Sequence, residues 1–462
     1  MANAVINRLL LAALMLAMAG CCAPHATMPA VIEARVADLA PAQPTLGFAP
    51  CGAESPLPTA PTLLDLPALW EIAVANNPTL RGAAADVETA RGLQRQARTY
   101  PNPHILVQQD TMGSRAAPGG NLTLQLTQEI VTCGKRQLDI AIAGRQTDAA
   151  SLGLVSRKFE LLTRVRRAYY GYLGAFAAAG INDAAVASLE QGVAITRKLV
   201  ENVQNRPRTD LLRLEALLEG TKINQARARF RVEAAWKEVA AEVGVLDLPM
   251  PPAPRQSEAL GPSWDAGEIW QRVQAVNTAL GQARVDAERA RLAVDRARAD
   301  AVPNVNVSGG YVNDAVDNTA GAIIALETTL PTWDRKRGRI HAAEAQWVKA
   351  QAAVRTLEMT LYAGIADAFA RYQGARKQVE KLDKEVLPRL QESVGLLLKN
   401  YELGGANVTF TDVLMTEQSL IATRLELAQA RQNLWQALAD LQGLMQLDID
   451  ADRFLFDPAC GT

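Results

Sequence analysis

Leu69-Trp70, followed by Asn77, Leu80, Ala90 and Arg91, returns about two hundred residues later as Ile269-Trp270, followed by Asn277, Leu280, Ala290 and Arg291. Working outward, Pro101-Asn102-Pro103 and Pro303-Asn304-Val305 each open a short β-like run. Lys135-Arg136 and Lys336-Arg337 each close that run and begin a very long helical stretch. Thr209-Asp210-Leu211-Leu212 with Glu215 recurs as Thr411-Asp412-Val413-Leu414 with Glu417. A repeat of this length means one supersecondary design used twice. Each copy reads helix, hairpin, long helix, turn, helix, which makes the fold class mainly α with a small β part.

The first copy is expected over residues 65–248. A helix runs from Leu66 to Tyr100 and is ended by Pro101 and Pro103. Strands follow at Pro103–Met112 and Asn121–Val131, a hairpin over about 103–131 with Gly113, Pro118, Gly119 and Gly120 as turn signals. Leu122, Leu124 and Leu126 alternate with Thr123, Gln125 and Thr127, so that strand has one apolar and one polar face. The proline-free stretch from Gln137 to Gln204 carries Leu152, Val155, Phe159, Leu162, Val165, Tyr169 and Tyr172 at three/four spacing. At 1.5 Å per residue it reaches about 100 Å and must pack lengthwise as a coiled coil. Asn205-Arg206-Pro207 breaks it, and a return helix covers Thr209–Val243.

Residues 249–262 hold the linker, with Pro249 to Pro254 at its start. The second copy, 263–447, is read as helix Asp265–Ala301, strands Asn304–Asn313 and Thr319–Leu330 (hairpin about 303–331), and a long helix Gly338–Leu403. Pro388 predicts a kink or local break in that helix, and Gly404-Gly405 end it. The return helix Phe410–Gln446 carries Leu427, Ala430, Leu434, Leu438, Leu441 and Met445 as its apolar stripe. Residues 448–462 form a tail.

Hydrophobic residues make up 49% of the 462 residues but aromatics only 5%, so the apolar content is small and aliphatic, suited to close helix contacts. The 48 basic and 49 acidic residues are interspersed, and no basic patch points to nucleic acid. His25, His104 and His341 lie in unrelated segments, and no cysteines show C-x-x-C spacing. Cys51 and Cys460 either pair in an oxidising compartment or stay free. No Ser/His/Asp constellation, P-loop or dinucleotide fingerprint occurs in a fitting context. No catalytic residue, resident metal or cofactor is expected, and isolated helical Asp and Glu read as solvated faces.

Asn7-Arg8 precedes an apolar run, Leu9 to Ala19, that is too short to span a bilayer but suits a signal peptide over 1–20. Met18-Ala19-Gly20-Cys21 resembles a lipobox, which makes Cys21 the lipid-attachment candidate; ordinary cleavage without lipid is the alternative. Residues 21–64 are Pro-rich and read as extended. No other stretch offers about eighteen consecutive apolar residues, so a helical span is excluded and any crossing uses strands. Strands of about ten residues suit a transmembrane barrel. Four of them cannot close one, so several chains must each donate four. Two soluble hairpins capping a helical bundle are the alternative.

The duplicated plan, the opening at residues 69–80 and Tyr100-Pro101-Asn102-Pro103 resemble the TolC family of outer-membrane efflux proteins over roughly residues 62–447. Thr127-Gln128-Glu129-Ile130 leading to Gly134-Lys135-Arg136 resembles the CzcC-like heavy-metal efflux branch, and Tyr401-Glu402-Leu403-Gly404 with Asp412-Val413-Leu414 resembles the family's periplasmic-tip turn. The resemblance implies a homotrimer in outer-membrane lipid, with most of the mass in the periplasm. A 12-stranded barrel would be continued by a periplasmic α-helical coiled-coil tunnel. It also implies a periplasmic adaptor (membrane fusion protein) and an inner-membrane pump of RND or ABC type as partners, and a passive exit-duct function. A periplasmic adaptor or structural coiled-coil lipoprotein, and a type I protein-secretion duct, are the rivals.

Asp210 and Asp412, at the starts of the return helices, read either as capping or dipole partners or as an electronegative gate ring in the trimer. Gly404 and Gly405 supply positive φ, with adaptor contact as the second reading. Lys135, Arg136, Lys336 and Arg337 read as solvated junction charges, with an interior basic belt as the alternative. Tyr311 is either an interfacial aromatic or an ordinary strand residue.

Overall fold

The structure, a computed structural model, describes residues 64–110, 112–113, 120–203, 208–251, 260–314, 319–402 and 410–449. They belong to two compact units. One comprises Ala83–Leu154 and Thr278–Leu357 and carries the sheet. The other comprises Val155–Asn277, the segment from Glu358 onward and the chain up to Gly82, and its described elements are helices.

Helix α1 spans Leu66–Asn76. Asp65 caps it by accepting from the Ala68 N–H at 3.2 Å. Asn77 is extended (φ −67°, ψ 122°), and α2 begins at once over Pro78–Ala97. The single helix expected from Leu66 to Tyr100 is therefore two. Proline disfavours the helical region for the residue before it, and Pro78 itself is well placed at a helix start. The second copy breaks at the same place. Helix α5, Ala266–Val276, gives way at Asn277 (φ −66°, ψ 117°) to α6, Thr278–Ala299. Thr278 follows here, so proline is not what the two breaks share; the asparagine is.

The strands are β1 His104–Asp110, β2 Asn121–Ile130, β3 Val305–Asp314 and β4 Thr319–Thr328. They form one antiparallel sheet in the order β1-β2-β3-β4, so β2 and β3 join the two repeats. The register is Ile105↔Leu126, Leu126↔Gly309 and Gly309↔Ile324. Gly310 lets β3 lie close to β2, because a Cβ there would stand 2.4 Å from the Leu124 carbonyl oxygen.

Helix α3, Lys135–Val203, is followed by α4, Arg208–Val243. Their second-copy counterparts are α7 Arg337–Lys381, a π-helical turn Leu382–Val386, α8 Leu387–Glu402 and α9 Phe410–Met445. The π turn answers the break expected at Pro388. Proline lacks an N–H and crowds the preceding turn, which widens until the Leu387 N–H reaches the Leu382 carbonyl. Gly404 and Gly405, Cys21, Cys51 and Cys460 lie outside the described residues.

The helical unit has its core where the long and return helices meet. The expected stripe of α3 from Val155 to Tyr172 is buried here, as is that of α9 from Leu427 to Met445; Leu152 is buried in the other unit with Ala149 and Val285. Tyr172 packs against Trp236 with ring centroids 4.9 Å apart, and Tyr170 lies 6.0 Å from Trp435. One stretch of α3 is apolar enough by length and composition to cross a membrane, but half of it is buried inside the protein. Helices α4 and α9 both end in a left-handed residue, Gly244 (φ 87°) and Gln446 (φ 52°). In each, the next N–H reaches back to the carbonyl five residues earlier, Val245 to Ala240 and Leu447 to Gln442.

Candidate functional site: sheet faces, junction and helix tips

Residues opposite one another in an antiparallel ladder point to the same side. The register therefore assembles Ile105 and Val107 of β1, Leu122, Leu124 and Leu126 of β2, Val305, Val307 and Tyr311 of β3, and Ala322, Ile324 and Leu326 of β4 on one face. This face is apolar and open, with Ile324 85% exposed. The other face carries His104, Gln108, Thr123, Gln125, Thr127, Glu129, Asn306, Ser308 and Glu327, with Leu106, Val312 and Ile323 as apolar exceptions. The alternation read in β2 thus continues into β1 and β3, while β4 is apolar on both faces at Ile323 and Ile324. A sheet apolar outside and polar inside is what a wall between lipid and water requires. Tyr311 stands on the apolar face opposite Leu124.

Where the sheet meets α3, Asn304 is a hub. Its Nδ2 donates to Glu129 Oε1 at 2.6 Å, and its Oδ1 accepts from Lys135 Nζ at 2.5 Å and from the Thr132 N–H at 3.4 Å. Thr132 Oγ1 donates to the Pro303 carbonyl at 2.8 Å, and Thr328 Oγ1 to the Asn304 carbonyl at 3.1 Å. Lys135 is 4% exposed, which corrects the expectation of a solvated charge. Burial pushes its ammonium below the ordinary lysine value, with Asp300 opposing. Arg136 lies over the Tyr100 ring, 3.8 Å from its centroid. In the second copy Lys336 donates through Nζ to Asp334 at 2.6 Å, and this bond holds the Asp334 carboxyl below the usual range. Arg337 is exposed.

In the helical unit, Asp210 and Asp412 each occupy the third residue of their helix, α4 and α9. That position is in the first turn, where a carboxylate complements the helix dipole; the capping reading gives way to the dipole one. Asp210 is half-buried and Asp412 exposed. The residues that follow them, Leu211 and Val413-Leu414, join one hydrophobic cluster with Val186, Leu189, Val193 and Leu397. Both acidic turns therefore border the same apolar plug.

Two charged anchors escaped the sequence reading. Arg166 is fully buried and donates to the carbonyls of Leu447 (3.1 Å) and Asp448 (2.7 Å), tying α3 to the end of the second copy. Asp440, read as one of many solvated acids, accepts from Arg167 at 3.0 Å and Arg371 at 2.9 Å and so clamps α3, α7 and α9. A buried residue on a helix with charges on every face leaves no spacing signal. Among the described residues, no group of three or more His, Cys, Asp or Glu is placed to hold a metal.

The chain is similar to the cobalt-zinc-cadmium resistance protein CzcC of Cupriavidus metallidurans, 23% identical over 384 residues that cover 83% of this chain and 90% of that protein. It is likewise similar to the nickel-cobalt-cadmium resistance protein NccC of Alcaligenes xylosoxydans xylosoxydans, 25% identical over 68% of this chain and 70% of that one. Among solved structures, the fold resembles the outer-membrane channel OprN (TM-score 0.70, 19% identity, 82% of this chain and 89% of that one). It also resembles CusC (TM-score 0.69, 17% identity, 84% and 98%). The family model described as outer membrane efflux protein matches residues 69–245 and 269–445, one match per repeat, and the chain belongs to that family: an outer-membrane efflux channel with most of its mass in the periplasm, and not an enzyme.

Proposed function

We propose that this chain is the passive exit duct of a tripartite efflux system that exports heavy-metal cations. It would act as a homotrimer with a periplasmic adaptor and an inner-membrane pump of RND or ABC type. The observation that carries the duct is the amphipathic four-stranded sheet with an edge strand on each side, in a chain whose other described elements are helices. A sheet edge is not tolerated in hydrocarbon, so the wall must close through further copies. The cargo assignment is supported by the names of three relatives, which are metal resistance proteins. Family membership weighs against the adaptor and structural-lipoprotein rivals.

In this reading residues 1–20 are a signal peptide and Cys21 carries the lipid. Residues 65–248 and 263–447 are the two duct repeats. Gly404 and Gly405 meet the adaptor, and three copies of Asp210 and Asp412 gather into an electronegative ring at the periplasmic mouth that favours cations. The deciding experiment is a tolerance panel on a deletion strain and its complemented parent. Zinc, cobalt, cadmium, copper and silver are set beside dyes, detergents and antibiotics. Sensitivity confined to metals supports the reading. Sensitivity to organic compounds alone overturns the cargo and leaves a drug or secretion duct.

A further inference from the structure

The repeat encodes one junction twice, and the chain completes it once. Pro101-Asn102 matches Pro303-Asn304 at an offset of 202, and Leu124, Leu126 and Thr132 match Ile324, Leu326 and Thr332 at 200. The two offsets agree with the ladders: His104 pairs with Thr127, and Asn306 pairs with Glu327. β2 therefore corresponds to β4 and β1 to β3, residue by residue.

Within the chain, β2 lies on β3 with Leu126 opposite Gly309, and just beyond it Thr132 and Lys135 bind Pro303 and Asn304. As a result 131–136 and 303–305 are half-buried or buried. Most of their counterparts are open; Pro101 and Lys336 are half-buried, and the Pro101 carbonyl, which accepts from Gln128 Nε2 at 3.0 Å, keeps a second lone pair. Leu330 is 76% exposed, Trp333 96% and Tyr100 70%, and Thr332, Asn102 and Pro103 are exposed as well. They adjoin β4 and β1, the two edge strands. Half of the junction thus stands at each edge of the sheet.

We propose that β4 pairs with β1 of a second copy in the register Leu326↔Val107, and that Thr332 binds the Pro101 carbonyl and the Asn102 side chain of that copy, with Lys336 in the part of Lys135. The register follows by carrying the β2–β3 ladder through the two offsets. Leu326 and Val107 both belong to the apolar face, so that face runs unbroken across the seam. A slip of one residue would turn polar side chains into it. A slip of two would keep the faces but pull Thr332 away from Asn102. The site is incomplete without the second copy. The inference rests on the trimeric duct proposed above.

The test uses the full chain in membranes, with Cys22, Cys51, Cys133 and Cys460 replaced by Ser. Leu326→Cys combined with Val107→Cys is oxidised and run on a non-reducing gel beside the shifted pairs Leu326→Cys with Ile105→Cys or Gln109→Cys. The expected result is a covalent ladder of copies from the Val107 pair, at several-fold higher yield than from either shifted pair. A shifted pair that links better, in protein that still extracts as about three chains, overturns this register and leaves the trimer standing. Protein that extracts as single chains and links through no pair overturns the trimer and this seam with it. Asn102→Ala and Thr332→Ala provide a second readout. Each should lower the temperature at which the oligomer dissociates in detergent while the dissociated chains keep their helix content. Unchanged dissociation temperatures would overturn the junction contact.

Discussion

Asn77 Nδ2 donates to the Glu242 carbonyl at 2.8 Å, fixing the break between α1 and α2 to the last turn of α4. Asn277 makes the same bond to the Leu444 carbonyl of α9 at 3.3 Å. Both asparagines are buried. Asn77 also turns its Oδ1 to the Thr79 N–H at 2.9 Å, so one side chain caps the next helix and satisfies a helix-end carbonyl. Asn77→Ala leaves that carbonyl without its donor and should cost about 1–3 kcal/mol. Asn277→Ala, losing the longer bond, should cost less. Thermal unfolding of the detergent-solubilised protein checks the order, and equal or negligible losses would sink it.

Arg166 is a fully buried cation that donates to two backbone carbonyls, those of Leu447 and Asp448. Removing the head group leaves two carbonyls near the end of α9 without this donor. Arg166→Ala should destabilise the protein by about 3–5 kcal/mol, in the range for breaking a buried charged contact. Arg166→Lys keeps the charge but not the fork and should fall between. Limited proteolysis followed over temperature reads this, and an alanine variant as resistant as the parent would refute the anchor.

The two sheet faces predict opposite responses to charge. Leu124→Arg or Ile324→Arg places a cation on the apolar face and should cost about 2–4 kcal/mol if that face meets mid-bilayer. The yield of assembled protein in the outer membrane should fall. Thr123→Arg or Gln125→Arg on the polar face should assemble normally and alter ion selectivity in planar bilayers. Equal tolerance on both faces would remove the lipid-facing assignment.

Tyr372 is buried and donates to the carbonyls of Pro262 at 2.7 Å and Leu260 at 3.2 Å. Burial pushes its phenol up to about 12. Because the folded value lies above the unfolded one of about 10, its contribution is whole below pH 10 and is lost as pH rises from 10 to 12. Tyr372→Phe should flatten that stretch of the stability profile while lowering the plateau by about 1 kcal/mol. An unchanged alkaline slope would show that another group controls it.

If Asp210 and Asp412 form the electronegative ring, Asp412→Ala should raise passive leak through the closed channel, and the double variant should raise it further. Asp412→Asn separates charge from shape. Leak that rises with Ala but not Asn would assign the effect to packing against the Leu211 and Val413 cluster. Unchanged single-channel conductance and antibiotic leak in all three variants would remove both residues from the gate.

Reading residues along the chain reveals what is periodic. The repeat, the apolar stripes of α3 and α9, the alternation of Leu122, Leu124 and Leu126, and the break at Pro388 are all local rules repeated over many residues, and each agrees with the structure. The hidden features are single side chains whose meaning depends on a neighbour far away in sequence. Nothing near Lys135 announces that Asn304 will cover it, and Asp440 resembles every other helical acid until Arg167 and Arg371 meet it.

By itself, then, the sequence determined the duplicated plan, the element order and the sidedness of β2, because backbone sterics and hydrophobic periodicity act within a few residues. The tertiary structure alone decided the joining of the repeats through β2 and β3, the helix breaks at Asn77 and Asn277, and which charges are buried. Those outcomes depend on satisfying polar groups between segments more than a hundred residues apart, and only the folded arrangement of the chain says which groups meet.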